Sequence, residues 1–269
     1  MGNVILLRDP SEAAPDRYEA AFAAEGFHPV SVPVLDTVHT NISNLADIVR
    51  RGPAAQTLSG VIITSKRSCE AWRKALQLLQ ADHEGKSVLA SWESVPFYVV
   101  GKATSAALQE TFSTFARLGV GSPDIRGEST GSAVSLAPLI LNDLKERPAN
   151  LLYLTGDKNR DTLPRLLEDG GMSLQFLQVY ETCGSPSFPE TLSAAISSSP
   201  VNKHWWVVYF APSVAAYVTP TIRKHFHLEG TIQSSSPPVL VQAKVAAIGP
   251  TTDTFLQEIV SVIVNAKAI

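Results

Sequence analysis

Gly101-Lys-Ala-Thr104, followed by Leu108-Gln-Glu110, returns later in the chain as Gly249-Pro-Thr-Thr252 followed by Leu256-Gln-Glu258. The matching Gly, Thr, Leu, Gln and Glu stand at identical offsets, 148 residues apart. Other pairs keep nearly the same interval. Val61-Ile-Ile-Thr-Ser65 answers Val207-Val-Tyr-Phe-Ala211 at 146, Val34-Leu-Asp-Thr37 answers Val179-Tyr-Glu-Thr182 at 145, and Val4–Asp9 answers Leu151–Asp157 at 147. Anchors spread over a whole chain do not agree this closely by chance, so the sequence is read as a duplicated unit. Its active surface is expected between the two copies.

What is duplicated follows from the runs around the anchors. Short apolar segments at Val4–Leu7, Val30–Leu35, Val61–Ile63, Phe97–Val100, Leu151–Leu154, Leu174–Tyr180, Trp205–Phe210 and Lys244–Ile248 have strand length. Most are apolar on both faces, as parallel strands covered by helices on both sides require. Stretches such as Ser68–Gln80 and Thr162–Asp169 carry apolar residues at helical spacing. This alternation predicts an α/β fold with parallel sheets. Gly119–Gly131, the Ser- and Pro-rich Gly184–Pro200 and Ser234–Pro238 are read as loops. Glu128–Val134 reads as a helix start, and its repeat would fall near position 275, so the second copy is expected to lack its last helix and to end with a strand at Val262–Val264.

Composition narrows the function classes. The 269 residues suit one large domain or two small ones. A net charge of −3 with 17% charged residues argues against a general nucleic-acid binder. No apolar run approaches the length of a membrane span. The N-terminus has no basic segment ahead of Val4–Leu7, and it reads as a first strand rather than a signal peptide. Cys69 and Cys183 are too few for a disulfide framework, which makes a reducing, cytoplasmic compartment the expectation. The six histidines show no metal-ligand spacing, and His225 and His227 are read as surface residues. There is no Walker loop, no G-x-G-x-x-G and no G-x-S-x-G elbow. Without a heptad or an apolar stripe, a monomer is expected.

The remaining signal is a set of strand-to-helix junctions rich in small hydroxyl residues. They are Thr64-Ser65-Lys66-Arg67-Ser68, Gly101-Lys102-Ala103-Thr104, Thr155-Gly156-Asp157-Lys158-Asn159-Arg160, Ala211-Pro212-Ser213 and Gly249-Pro250-Thr251-Thr252. In open α/β sheets, ligands bind outside the carboxyl ends of the strands. Helix N-termini there offer unpaired N–H groups to anions. Each junction alone reads as a helix cap, whereas the whole set points to a ligand with several carboxylates or phosphates. Tyr180 stands where the first copy has Leu35. It is either a proton donor or a half-buried phenol with a satisfied hydroxyl.

Taken together, Thr64-Ser65-x-Arg67, Val99-Val-Gly101-x-Ala-Thr104, Val179-Tyr180-Glu-Thr182, Phe210-x-Pro212-Ser213 and Ala247-Ile-Gly249-Pro-Thr-Thr252 resemble the uroporphyrinogen-III synthase family, in order and spacing, from Val4 to about Glu258. The resemblance implies two Rossmann-like or flavodoxin-like parallel-sheet domains joined by a two-stranded linker. One is discontinuous, residues 1–36 plus 183–269; the other spans about 40–178, with linker strands at 36–39 and 179–182. It implies a cofactor-free, metal-free hydro-lyase that cyclises hydroxymethylbilane to uroporphyrinogen III, inverting ring D and losing water. Tyr180 would be the proton donor. Thr64, Ser65, Arg67, Thr104, Gly156, Lys158, Arg160, Ser213, Thr251 and Thr252 would hold the substrate's carboxylates. The preceding deaminase would be a transient partner. A degenerate paralogue, or a two-domain intracellular anion-binding protein without turnover, is the alternative.

Overall fold

The computed structural model describes residues 2–11, 15–81, 92–145, 149–201, 204–228, 241–258 and 266–268. Along the chain run β1 (Asn3–Leu7), α1 (Arg17–Ala24), β2 (His28–Ser31), β3 (Leu35–His39), α2 (Ile42–Arg51), β4 (Gly60–Ile63), α3 (Lys66–Ala81), β5 (Pro96–Val99) and α4 (Lys102–Thr114). They are followed by β6 (Asp124–Arg126), α5 (Ala133–Asp143), β7 (Asn150–Gly156), α6 (Thr162–Asp169) and β8 (Ser173–Gly184). The rest are α7 (Phe188–Ser198), β9 (Trp205–Tyr209), α8 (Pro212–His225), β10 (Phe226–Leu228), β11 (Val241–Ile248), α9 (Pro250–Glu258) and β12 (Ala266–Ala268). The chain is α/β throughout, and it divides into two units. One comprises Met1–Asp36 with Cys183–Ile269, the other Thr37–Thr182.

The strands of the discontinuous unit lie in the order β2-β1-β9-β11, with β10 and β12 each pairing parallel to β11 at different stretches. Those of the continuous unit lie in the order β3-β8-β7-β4-β5-β6. Numbering from the strand that opens each repeat (β1 or β7), both sheets read 2-1-3-4-5, the flavodoxin-like order. Each sheet draws strands 1 and 2 from one repeat and strands 3 to 5 from the other. The duplication is therefore real but exchanged.

Residue type explains the burial. All of β1, β4 and β5 is buried, so these strands need apolar side chains on both faces. On one face of the continuous unit Trp72 meets Trp92, Phe97 and Phe112 at ring-centroid distances of 5.0, 5.2 and 6.1 Å. On the other, Leu136, Ile140, Leu163 and Leu167 from α5 and α6 cover Ile62, Tyr98 and Leu151. In the discontinuous unit, Leu192, Val214, Val218, Ile222 and Leu256 cover one face of the sheet. Val4, Leu6 and Val208 form a smaller cluster on the other with Tyr18, Phe22 and Phe27.

Four sequence readings need correction. The run Val30–Leu35 is two strands, because Pro33 has no N–H to continue a ladder. Gly184–Pro200 holds α7, whose Phe188, Leu192 and Ala195 are buried at helical spacing beneath a Ser- and Pro-rich composition. Gly119–Gly131 holds β6, a three-residue edge strand too short to show a period. His225 and His227 are half-buried rather than exposed. Val262–Val264 and Ser234–Pro238 lie outside the described residues. Ser132 caps α5 by accepting from the Ser135 N–H, within the predicted helix start.

One cap carries a pH signature. The Asp16 carboxylate accepts from the N–H groups of Ser11 (2.7 Å), Tyr18 (2.9 Å) and Glu19 (3.2 Å), and from Arg8 Nη1 at 2.7 Å. The Ser11 N–H foremost, then Arg8, holds it well below the usual carboxylate range. A depressed acid contributes stability above its unfolded pKa of about 4 and loses it as pH falls through the folded value. Asp16→Asn keeps a capping oxygen but not the charge. The stability gap to wild type, followed by acid titration in circular dichroism, is expected to narrow from about pH 5 to about pH 2.

Candidate active site

In each unit the strand order reverses between strands 1 and 3, and α/β sheets bind ligands beyond the carboxyl ends there. In the continuous unit this point lies between β7 and β4, where Thr155-Gly156-Asp157 and Thr64-Ser65 leave the sheet. Ser65 Oγ accepts from the Ser68 N–H at 3.1 Å, capping α3. The same hydroxyl donates to the Tyr180 hydroxyl oxygen at 3.4 Å. Among the described residues nothing accepts the Tyr180 proton, so that proton can be given to a ligand.

Tyr180 reaches this place through an irregularity. Thr155 pairs with Gln178, but Gly156 pairs with Tyr180, so β8 carries one extra residue there. Such bulges re-aim a side chain. Gly156 then makes room: a Cβ at that position would come within 2.4 Å of the Tyr180 ring and 2.8 Å of its hydroxyl. Asp157 closes the turn by accepting from the Thr182 N–H at 3.1 Å. The half-buried Tyr180 ring packs against the core cluster of this face. Gly156→Ala is expected to push the phenol aside and lower turnover roughly 5-fold with little loss of stability. A crystal structure and steady-state kinetics of the variant check both.

Both signs of charge stand at these strand ends, Arg67, Lys158 and Arg160 with Glu70 and Asp157. The Arg67 guanidinium lies 5.7 Å from the centre of the Tyr180 ring, within cation–π range. Arg67, Lys158 and Arg160 are exposed, and none has an ion-pair partner among the described residues. Beside α3 opens a cavity of about 600 Å³ lined by both signs of charge, Lys66, Arg73 and Lys74 with Glu70 and Glu110, together with Thr37 and His39. Burial pushes the Tyr153 phenol up, against hydrogen bonds with Thr64 and Asn159. Burial also pushes the Cys69 thiol to about 12, which removes it as a nucleophile at neutral pH.

The other predicted residues occupy two kinds of place. Ser213 and Thr251 are exposed in the first turns of α8 and α9. Thr104 and Thr252, third residues of α4 and α9, are buried at 5% and 2% exposure. What these two positions offer a ligand is their backbone N–H, at a helix start with no partner of its own. No group of three His, Cys, Asp or Glu suited to a metal gathers among the described residues. No helix there is long and apolar enough to cross a membrane.

A family model described as "Uroporphyrinogen-III synthase HemD" matches residues 16–267. The chain belongs to the uroporphyrinogen-III synthase family. It is 26% identical over 266 residues to the uroporphyrinogen-III synthase of Saccharomyces cerevisiae, covering 95% of this chain and 87% of that protein. Against the Schizosaccharomyces pombe uroporphyrinogen-III synthase the identity is 25%, covering 96% and 88%. Similar solved structures include the Helicobacter pylori uroporphyrinogen-III synthetase (TM-score 0.46, 16% identity, 100% of this chain and 92% of that one). Another is a mutant Thermus thermophilus uroporphyrinogen III synthase (TM-score 0.41, 16% identity, 100% and 93%).

Sequence reading of this synthase-family chain passed over His39 and Arg8. His39 Nε2 lies 3.3 Å from the Arg67 carbonyl oxygen and 3.6 Å from the Glu70 carboxylate. Arg8 follows β1, clamped by Asp16 and lying 5.6 Å from the Phe210 ring. Neither belongs to a local motif. His39 is placed by pairing with a strand far away in sequence, and Arg8 by Asp16, the cap of α1.

Proposed function

We propose that this chain cyclises hydroxymethylbilane to uroporphyrinogen III, inverting ring D and releasing water, as a cofactor-free hydro-lyase of tetrapyrrole biosynthesis. Family membership over residues 16–267 carries the reading. In this reading Tyr180 donates its proton to the departing hydroxyl of the hydroxymethyl group, which leaves as water. Ring D, already substituted at the attacking α-carbon, closes onto the resulting cationic carbon to form a spiro centre. Breaking its old bond and rejoining through the other α-carbon inverts the ring, and loss of that carbon's proton restores the pyrrole. Arg67, Lys158 and Arg160, the hydroxyls of Thr64, Ser65, Ser213 and Thr251, and the backbone at Gly156, Thr104 and Thr252 hold the substrate's carboxylates. Their main service is geometric, keeping the chain ends in a fold that simple closure does not adopt.

The test is to supply freshly made hydroxymethylbilane and separate the uroporphyrin isomers after oxidation. Spontaneous closure gives type I, so type III product is the expected result, and type I alone from folded protein would overturn the reading. The same reading takes the protein as a cytoplasmic monomer, in keeping with its two free cysteines. A substrate that closes spontaneously favours transient contact with the deaminase that makes it. Sedimentation at one protomer mass checks the monomer.

A further inference from the structure

We infer that His39 is a positioning residue, holding the first turn of α3 so that the Arg67 cation stays over the ring of Tyr180. The inference rests on the proposed reaction. It begins with strand register. The Thr40 N–H donates to the Val179 carbonyl and the Ser185 N–H to the Val34 carbonyl, both at 3.0 Å. These bonds share one antiparallel register, which sets His39 directly opposite Tyr180 on the neighbouring strand. Side chains so placed share a face, with Cβ atoms about 5 Å apart.

Arg67 joins the two. Its guanidinium lies over the Tyr180 ring at 5.7 Å, while its carbonyl oxygen lies 3.3 Å from His39 Nε2. A carbonyl only accepts, so Nε2 carries the hydrogen. The Glu70 carboxylate lies 3.6 Å from the same nitrogen, a second acceptor beside it. The imidazole is 11% exposed, while the Glu70 carboxylate stands in solvent. The first turn of α3 is thus tied on both sides of Arg67, by the Ser65 cap to the Ser68 N–H and by His39 to the Arg67 carbonyl. As Tyr180 releases its proton, negative charge grows on the phenolic oxygen, and a nearby cation favours that charge. Holding Arg67 therefore acts on turnover through the phenol, while Lys158, Arg160 and the helix entrances, which His39 does not touch, keep the rest of the substrate's carboxylates held.

The experiment is a double-mutant cycle with two readouts. His39→Ala is expected to lower kcat roughly 5-fold with KM changed less than about 2-fold. His39→Gln, which keeps a donor for the Arg67 carbonyl, restores most of the loss. In an Arg67→Ala background, His39→Ala costs less than about 2-fold further. The second readout needs no substrate. In the NMR spectrum the Arg67 Nε–H signal, shifted by the Tyr180 ring in the wild type, moves toward that of a free arginine in His39→Ala and stays in place in His39→Gln. An unchanged kcat, full additivity with Arg67→Ala, or an unmoved Arg67 signal would overturn the inference. Wild-type protein yielding only type I isomer would instead sink the proposed reaction, leaving the NMR arm to decide the role of His39.

Discussion

Tyr180→Phe is expected to lower turnover at least ~10-fold while leaving the fold and the affinity for substrate nearly unchanged. The substitution removes one oxygen from a ring that is otherwise kept in place by core packing and by the space above Gly156. What disappears is the proton that no described residue accepts, together with the oxygen that receives the Ser65 hydroxyl. Departure of hydroxide without a donor is the difficult step, so the loss belongs in kcat. Product that does form should still be type III, because substrate geometry is set by groups the variant keeps. Stopped-flow mixing with hydroxymethylbilane, followed by isomer analysis, checks both parts. An unchanged rate would remove Tyr180 from the chemistry.

Trp72→Ala is expected to destabilise the continuous unit by about 3–5 kcal/mol, the usual cost of truncating a fully buried aromatic. Trp72 is 0% exposed and lies edge-on to Trp92 and Phe97, with Phe112 stacked beside it. Its removal opens a cavity that three neighbouring rings cannot fill without leaving their own contacts. The indole Nε1 of Trp72 is buried without a hydrogen-bond partner. Trp72→Phe sheds the same donor as Trp72→Ala but keeps most of the ring area, so it should cost well under half as much. Trp92 behaves differently, since its Nε1 donates to the Val49 carbonyl at 3.1 Å. Urea unfolding of the two Trp72 variants, read by far-UV circular dichroism, checks the order. Equal losses would mean that the ring area kept by phenylalanine has no energetic weight.

Much of this was legible one segment at a time. Helix α6 matches its predicted span from Thr162 to Asp169, because apolar spacing and flanking turns are local properties. The α7 helix is hidden because Ser and Pro dominate the whole Gly184–Pro200 stretch, although the decisive period, Phe188 to Leu192 to Ala195, is present. At the site, the hydroxyl-rich strand ends were visible as motifs. The inward turn of Thr104 and Thr252 was not, since helix phase relative to the core depends on what the helix packs against.

By itself the sequence determined that this protein is a duplicated α/β chain with hydroxyl-rich helix entrances and a tyrosine where its repeat has leucine. Those facts live in short windows, where side-chain period and turn chemistry act. Only the tertiary structure decided that the repeats exchange their opening strands, that a bulge brings Tyr180 over Gly156, and that His39 faces Tyr180. Each of these depends on which strands pair and in what register. Pairing joins residues at separations as different as 24 positions, for Gly156 with Tyr180, and about two hundred, for Asn3 with Trp205, through backbone hydrogen bonds that are chemically alike at every residue, so no local spacing records it.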